Sequence, residues 1–596
     1  MRTVFRGFAG LFIVVVPLLL LINPRAAFYN GTDWDYHLWL IGYFGEYFRH
    51  QFIMPAELNA TVAVGMALPL FYGYLLYPLL GFFSAGLGAA GALRLGCLLV
   101  VAVQFYALFA AGRRVLRHRG LAYATAVVIV WSTYSLTNLY NRSALPEYFA
   151  TGCLMASIGF LVAAAGGYRD GRARFHFWLA GVSGILAVGV HPPTAVVSGV
   201  FLIAVAVILA GAWAAGPRHL ARMDVIAGGA IVAAGALIVS PWLYVTLRLG
   251  PKLAIWADPY QMILYPDRFD SWVARLSPVP YDPLSARQGI VDVSTPFLEA
   301  PIALGLVVLF GWLFFICLRS PRRSAAANNV WTAAAPVIAG LALGWFGILL
   351  ALSLSATLNV HFLFLGPYLQ YAYRLVSHAN AALLIAVFAG GALAHRCGAF
   401  TGRRSQADIV AAICIVMAAI SVGIKLGHGQ AVAQDEGASE YALGGERARL
   451  IGNPSPYAVA TYTTPGEVSE LSADELRGAT TAMFVVGREG REFGQVAPVR
   501  VWRDRPGWVV TNALVFAWNR IAVQGVRVGG GDLRRSGSFL AVRLPVGETE
   551  LTWEWHPDPV WSALHCAGGI AFAGVLLITA VWASARAAGF LRARFS

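Results

Sequence analysis

Charge is scarce in this chain of 596 residues. Asp, Glu, Lys and Arg together make up 12%, where a soluble globular domain carries roughly 25%. Residues of the AVILMFWYC class reach 58%, and mean hydropathy is +0.64. A soluble multidomain protein and a disordered chain are both excluded, because each needs far more polar surface facing water. Cysteine is also sparse: Cys97, Cys153, Cys317, Cys397, Cys414 and Cys566. They form no CxxC pair and no Cys/His cluster with metal-ligand spacing, so neither a disulfide framework nor a metal site is expected, and buried thiols are the plain reading. The chain has no Walker loop, no HExxH, no GxSxG and no GxGxxG in a βαβ setting. A nucleotide-driven pump, a zinc protease and a serine hydrolase therefore lack support, and no cofactor is implied. No internal repeat and no long low-complexity tract occurs.

What the chain has in abundance is apolar runs near the ~20 residues needed to cross ~30 Å of hydrocarbon. The runs are continuous and do not alternate, which argues against a β-barrel. The net charge is +14, from 44 basic and 30 acidic residues. Most of the Arg falls in short loops between apolar runs: Arg113, Arg114, Arg117 and Arg119; Arg169, Arg172 and Arg174; Arg218 and Arg222; Arg319, Arg322 and Arg323; Arg396, Arg403 and Arg404; Arg586, Arg592 and Arg594. This is the positive-inside pattern, so these loops are expected in the cytoplasm and nucleic acid is not expected as a partner.

The first run, residues 10–22, follows Arg2 and Arg6 and precedes Asn23, Pro24 and Arg25 with no small-residue cleavage site. It reads as an uncleaved signal anchor. Further spans are expected at residues 89–112, 121–139, 146–165, 178–190, 194–214, 225–243, 301–318, 330–352, 375–394, 409–424 and 561–583. The run at 66–83 cannot cross without turning the basic clusters the wrong way, so it is expected to be re-entrant or interfacial. The fold class expected is a polytopic all-α membrane protein with about twelve transmembrane helices and both termini inside a bacterial plasma membrane. Residues 1–425 form the membrane module, with outer loops at 24–88 and 246–299. Residues 426–560 read as an extracytoplasmic β-sandwich, and residues 561–596 as a last helix with a basic tail. In the β segment the short runs 483–487, 499–502, 508–511, 520–526, 539–544 and 550–555 are separated by Gly, Pro or Asp. Leu551, Trp553 and Trp555 alternate with Thr552 and Glu554, as a half-buried strand requires.

The spans are nearly free of charge, and the informative residues gather at their outer ends. A carrier of polar substrates bears the ~2.5–3.5 kcal/mol of a midplane charge for function; this chain does not, which suggests chemistry at one interface. Asp33, Asp35 and His37 lie within five residues and can supply a general base, or form a solvated loop capping the helix that follows. Arg142 and Glu147 flank Pro146, either as a capping pair or as an Arg aimed at an anion. His191 stands before Pro192 and Pro193, a position that suits a hydrogen-bonded turn residue as well as a catalyst. Tyr371, Tyr373 and Arg374 open another span, where an aromatic belt with a snorkelling Arg is the plain alternative.

In this order the motifs resemble bacterial membrane proteins of the GT-C glycosyltransferase fold, in particular the YfhO-like family and its neighbours labelled pyruvoyl-tetrahydropterin-synthase-related. Asp33, Trp34, Tyr36 and His37 match an Asp-Trp-x-aromatic-His pattern in the first outer loop. Pro69, Leu70, Phe71 and Tyr74 are similar to a Pro-Leu-Phe-x-x-Tyr stretch. Arg142 to Glu147, His191, and Gln370 to Arg374 resemble three further outer motifs. Trp518-Asn519-Arg520, Val523-Gln524-Gly525 and Leu544-Pro545-Val546-Gly547 are similar to the terminal domain. Thr32 stands where the pattern leads one to expect His, and Asp35 is an additional acid.

The resemblance implies an inverting membrane glycosyltransferase. Its donor would be a polyprenyl-phosphate-linked sugar and its acceptor an extracytoplasmic glycan or lipid, with membrane lipid as the surrounding partner. Asp33 would be the general base, with Asp35 as the substitute. Arg142 and Arg374 would hold the donor phosphate, and His37, Glu147, His191, Tyr371 and Tyr373 would orient the substrates. The alternatives that remain are a lipid-linked glycan transporter or flippase and a non-catalytic cell-envelope assembly protein.

Overall fold

The structure is a computed structural model. It describes residues 34–51, 55–132, 135, 138–139, 144–166, 173–214, 222–254, 308, 315, 330–354, 375–396, 404–435 and 462–595. The helices that build the bundle are α1 (Trp34–Gln51), α2 (Leu68–Phe71), α3 (Leu76–Val115), α4 (Arg119–Val130), α5 (Leu145–Gly166), α6 (Ala173–Val190), α7 (Pro192–Ala214), α8 (Arg222–Arg248), α9 (Val330–Leu354), α10 (Leu375–Arg396), α11 (Arg404–Asp435) and α12 (Pro559–Phe595).

Among the described residues eight helices are long and apolar enough to cross a membrane: α3, α5, α6, α7, α8, α9, α10 and α12. Shorter apolar helices run over Arg119–Val130 and Ser405–Ile420. The count of about twelve is thus not reproduced. The runs expected to cross at 10–22 and 301–318 lie outside the described residues, apart from single helical positions at 308 and 315. The span expected at 121–139 is described only in part: Ser135, Asn138 and Leu139 are helical, and positions 133, 134, 136 and 137 lie outside the described residues. α4 itself stops at Val130, and 12 residues rise only ~18 Å. Its continuation is Trp131 and Ser132, and the hydroxyl of Ser132 accepts from the backbone of Ser135 at 3.3 Å. Serine at such a position competes for backbone groups and ends the helical ladder.

The run at 66–83, expected to be re-entrant or interfacial, is built from several short elements. It holds the end of a strand, the short α2, a turn at residues 72–75, and the opening turns of α3. α3 is broken at Gly88, whose φ of 72° and ψ of 165° no side chain tolerates well. The break divides a 40-residue element into an opening arm and the membrane-length arm expected at 89–112.

α5 and α10 lie at the centre. α5 is buried over most of its surface from Leu145 to Ala164, with one stripe of Cys153, Ser157, Leu161 and Ala165 half-buried, as suits a helix apolar nearly all round. α10 buries Leu375, Ala379, Leu383, Ala386 and Phe388 and packs against α9, α7, α5 and α3. α12 has the opposite character: Ile570 and Leu577 are 70% and 65% exposed, as expected of a lipid-facing helix. α1 lies close along α3 because both are small where they cross. A Cβ on Gly45 would meet the Ser84 Oγ at 2.5 Å, and one on Gly81 would meet the Phe44 Cβ at 2.3 Å.

The strands are β1 (Leu58–Ala60), β2 (Ala63–Met66), β3 (Thr480–Ala482), β4 (Val485–Val486), β5 (Val496–Ala497), β6 (Val499–Arg503), β7 (Gly507–Leu514), β8 (Asn519–Val523), β9 (Val526–Arg527), β10 (Leu533–Ser536), β11 (Phe539–Leu544) and β12 (Gly547–Trp555). One sheet runs β1-β2-β7-β11-β10, with β3 also on β7. A second runs β6-β12-β8-β9, and β4 pairs with β5. The strand expected at 539–544 is present with those ends, those expected at 499–502, 508–511 and 550–555 are present with shifted ends, and 520–526 is a hairpin of β8 and β9. In β12 the expected alternation holds, with Thr549 and Leu551 buried and Glu548, Glu550 and Glu554 exposed. Trp553 and Trp555 pack inward: Trp553 donates its indole N–H to the Asn519 Oδ1 at 3.0 Å, and Trp555 stacks on Phe516 with centroids 5.5 Å apart.

Sequence reading missed the hairpin β1-β2. It belongs to the first loop, yet Val64 pairs in parallel with Ala513 of β7. One continuous apolar core runs from the helices through Leu58, Val64 and Met66 into Val509, Leu514, Val542 and Leu551.

Candidate functional site

Four helix N-terminal turns come together at the end of the bundle that carries the β region. His37 lies in the first turn of α1, Glu147 in the first turn of α5, His191 and Thr194 at the start of α7, and His378 in the first turn of α10. All five side chains are buried, none more than 5% exposed. Each N-terminus carries a partial positive charge from its unsatisfied N–H groups, and this favours an anion by about 0.3–1 kcal/mol per helix, more where it is partly buried.

The contacts between these residues form a chain. The His37 Nδ1 shares a hydrogen bond with the Tyr77 hydroxyl at 2.8 Å. Tyr72 stands between the two histidines: its ring stacks on His37 at 6.5 Å and meets His191 edge-on at 6.4 Å. The His191 Nδ1 shares a hydrogen bond with the Thr194 hydroxyl at 2.8 Å. One turn further along α7, the Ser198 hydroxyl and the His378 Nδ1 are 2.7 Å apart. The Glu147 carboxylate accepts from the Asn138 amide at 3.3 Å. Buried polar groups in an apolar bundle are costly unless partnered, and here helices distant in sequence supply the partners.

His37, Glu147 and His191, each chosen from the sequence, are thus brought into one neighbourhood. His378, Ser198, Thr194, Tyr72 and Tyr77 were missed. A single His inside an apolar helix carries no distinguishing pattern, and its serine partner lies 180 residues away. Tyr72 lies inside the Pro69–Tyr74 stretch that the sequence analysis names, and Tyr77 follows three residues after it.

Asp33, Arg142, Tyr371, Tyr373 and Arg374 lie outside the described residues. Asp35 is a backbone position in the first turn of α1 whose side chain is likewise outside them. In sequence, Asp33 immediately precedes Trp34, Arg142 stands three residues before Leu145, and Arg374 immediately precedes Leu375. Each therefore adjoins a helix that contributes to the cluster. Among the described residues no group of three or more His, Cys, Asp or Glu side chains is placed to hold a metal ion.

The segment that carries Tyr72 and Tyr77 is tied to the β region. Asn519 donates to the Gly65 carbonyl at 3.0 Å, and Asn512 donates to the Thr61 carbonyl at 2.9 Å. Phe71 stacks on Tyr462 at 5.6 Å and meets Phe516 edge-on at 6.3 Å. The Tyr74 hydroxyl shares a hydrogen bond with the His565 Nδ1 at 3.1 Å. Near the same junction Glu57 is half-buried, and burial pushes its carboxyl up from 4.5 to about 7.

No family model matches the chain, and no curated protein matches it. Among solved structures, the arabinofuranosyltransferase AftD from mycobacteria aligns with a TM-score of 0.34 and 14% identity, over 93% of this chain and 40% of that one. The oligosaccharyltransferase of Archaeoglobus fulgidus in its apo form aligns with a TM-score of 0.33 and 13% identity, over 80% of this chain and 63% of that one. The chain thus spans between 40% and 63% of the length of these two.

Proposed function

We propose that this protein is a membrane glycosyltransferase that moves a sugar from a polyprenyl-phosphate-linked donor to an extracytoplasmic glycan or lipid acceptor. The observation that carries the reading is the convergence of four helix N-termini on a buried His–Glu–Tyr cluster, in a bundle otherwise nearly free of charge. Such a place suits a phosphate whose lipid tail lies among apolar helices. The motif order that resembles the GT-C glycosyltransferases runs through the same helix ends.

The chemistry that fits is a single inverting displacement. Asp33, or Asp35 in its place, takes the proton of an acceptor hydroxyl. The hydroxyl oxygen forms a bond to the anomeric carbon as the bond from that carbon to the donor phosphate oxygen breaks, through an oxocarbenium-like transition state. The phosphate leaves with the electron pair. Arg142 and Arg374 meet it with charge-assisted hydrogen bonds, a role worth ~2.7–4 kcal/mol per donor in comparable sites. His37, Glu147 and His191, with Tyr371 and Tyr373, orient the two substrates. The Arg-rich loops face the cytoplasm and the site faces outward.

The test is sugar transfer by the purified protein in nanodiscs, supplied with a panel of polyprenyl-phosphate sugars. Asp33→Asn is expected to lower the transfer rate by at least ~100-fold with insertion and melting unchanged. A transporter or a scaffold would show no transfer to lose. Full activity in Asp33→Asn together with loss in Asp35→Asn would move the base to Asp35, and full activity in both would remove it from this loop.

A further inference from the structure

The Trp518-Asn519-Arg520 motif lies far from the histidine cluster in sequence, and nothing in the reaction above uses it. Its place in the fold supplies a role. Asn519 spends its whole amide on three partners: its Oδ1 accepts from the Trp553 indole at 3.0 Å, and its Nδ2 donates to the Leu514 carbonyl at 2.7 Å and to the Gly65 carbonyl at 3.0 Å. The first two partners belong to the β region and the third to the first loop. Gly65 has a φ of +74°, and a Cβ there would lie 1.9 Å from the Asn519 Oδ1, so only glycine fits against this side chain.

From Gly65 the chain runs through Phe71, clasped by Tyr462 and Phe516, and Tyr74, joined to His565. The same stretch carries Tyr72, between Phe71 and Tyr74, and Tyr77 just beyond them, the aromatic partners of His37 and His191. A second strap meets α1 from behind. The Asn59 backbone N–H donates to the Tyr43 hydroxyl at 2.9 Å, its Nδ2 donates to the Gly494 carbonyl at 2.9 Å, and its Oδ1 accepts from the Gly65 N–H at 2.8 Å.

We propose that the C-terminal β region is a positioning element for the histidine cluster. Asn519 and Asn59 are the positioning residues, and the segment 65–77 transmits the position. The β region holds this segment at one end, and the segment holds the two imidazoles at the other. The effect on catalysis rests on the glycosyltransferase reading; the mechanical link does not.

The experiment uses the full chain in nanodiscs. Hydrogen–deuterium exchange is followed in peptides covering residues 34–50 and 65–80 for Asn519→Ala, Gly65→Ala and Asn59→Ala. Val542→Ala, in the β11 core and away from the segment, is the control for general loosening of the β region. Each of the three variants is expected to speed exchange in both peptides by about tenfold, the scale of one lost buried hydrogen bond, and the control is expected to leave them unchanged. Unchanged exchange in the three, or equal acceleration in Val542→Ala, overturns the proposal. If Asn519→Ala fails to fold, Asn59→Ala reads the same link from the other strap. Where the wild type transfers sugar, Asn519→Ala is expected to lower kcat with KM for the donor unchanged, and a raised KM at full kcat would overturn the catalytic half. A wild type with no transfer defeats the glycosyltransferase reading and leaves the exchange result to decide the link.

Discussion

At the scale of single residues, His37, Glu147 and His191 each had a bland reading in the sequence. The structure does not choose by their individual environments, since all three are hydrogen-bonded as core or turn residues would be. It sets His37 and His191 on two sides of one Tyr72 ring and places Glu147 at the start of a neighbouring helix. The Tyr77 hydroxyl bonds the His37 Nδ1, and Tyr77→Phe removes that bond while keeping the ring. Thermal unfolding in detergent is expected to show a loss of about 1–2 kcal/mol, the cost of stripping one partner from a buried polar group. Glu57 provides a pH dependence. Its folded-state carboxyl titrates near 7 and its unfolded one near 4.5, so between these values the folded chain binds more protons. Stability from this group therefore falls as pH rises through that window. Glu57→Gln is expected to match the wild type below about pH 4.5, to gain on it steadily toward pH 7, and to keep a constant advantage above. Melting curves across pH 4 to 8 check this, and an advantage independent of pH would contradict it.

At the scale of elements, the described helices α3, α5, α6, α7, α8, α9, α10 and α12 were legible as long apolar runs next to Arg, because burial of apolar side chains and satisfaction of the backbone both demand a helix there. A polar stretch interrupts one run: within the span expected at 121–139 the helix pauses after Val130, at Trp131 and Ser132, and Ser135, Asn138 and Leu139 are helical. The break in α3 was half visible, in that the membrane-length arm was expected to begin at 89, one residue after Gly88. Gly88→Ala forces a side chain into φ 72° and ψ 165° and is expected to destabilise the fold by about 1–3 kcal/mol, measured by thermal unfolding. An unchanged melting point would mean that the arm can straighten. In the β region, alternation located most strands, whereas β1 and β2 are too short to show it. Their stability comes from β7, some 450 residues away in sequence, and no local pattern reports such a partner.

At the scale of the whole molecule, the charge asymmetry makes a claim that labelling can check. On a background with the native cysteines replaced, Trp502→Cys, an exposed position in β6, is expected to react with a membrane-impermeant thiol reagent added outside intact cells. Arg117→Cys, in the turn between α3 and α4, is expected to react only after the membrane is opened. Labelling of both from one side would overturn the topology.

Composition and hydropathy alone determined that this is a multi-pass helical membrane protein with a β-rich segment near its C-terminal end, because the cost of desolvating a backbone and the gain from burying apolar surface act over a few neighbouring residues at a time. Which residues share a site was a tertiary matter. His37 and His191 meet the same Tyr72 ring, His378 meets Ser198, and Asn519 meets Gly65 only once helices and strands have packed. Short-range forces between side chains depend on distance in space, and a chain read in order carries no record of that distance.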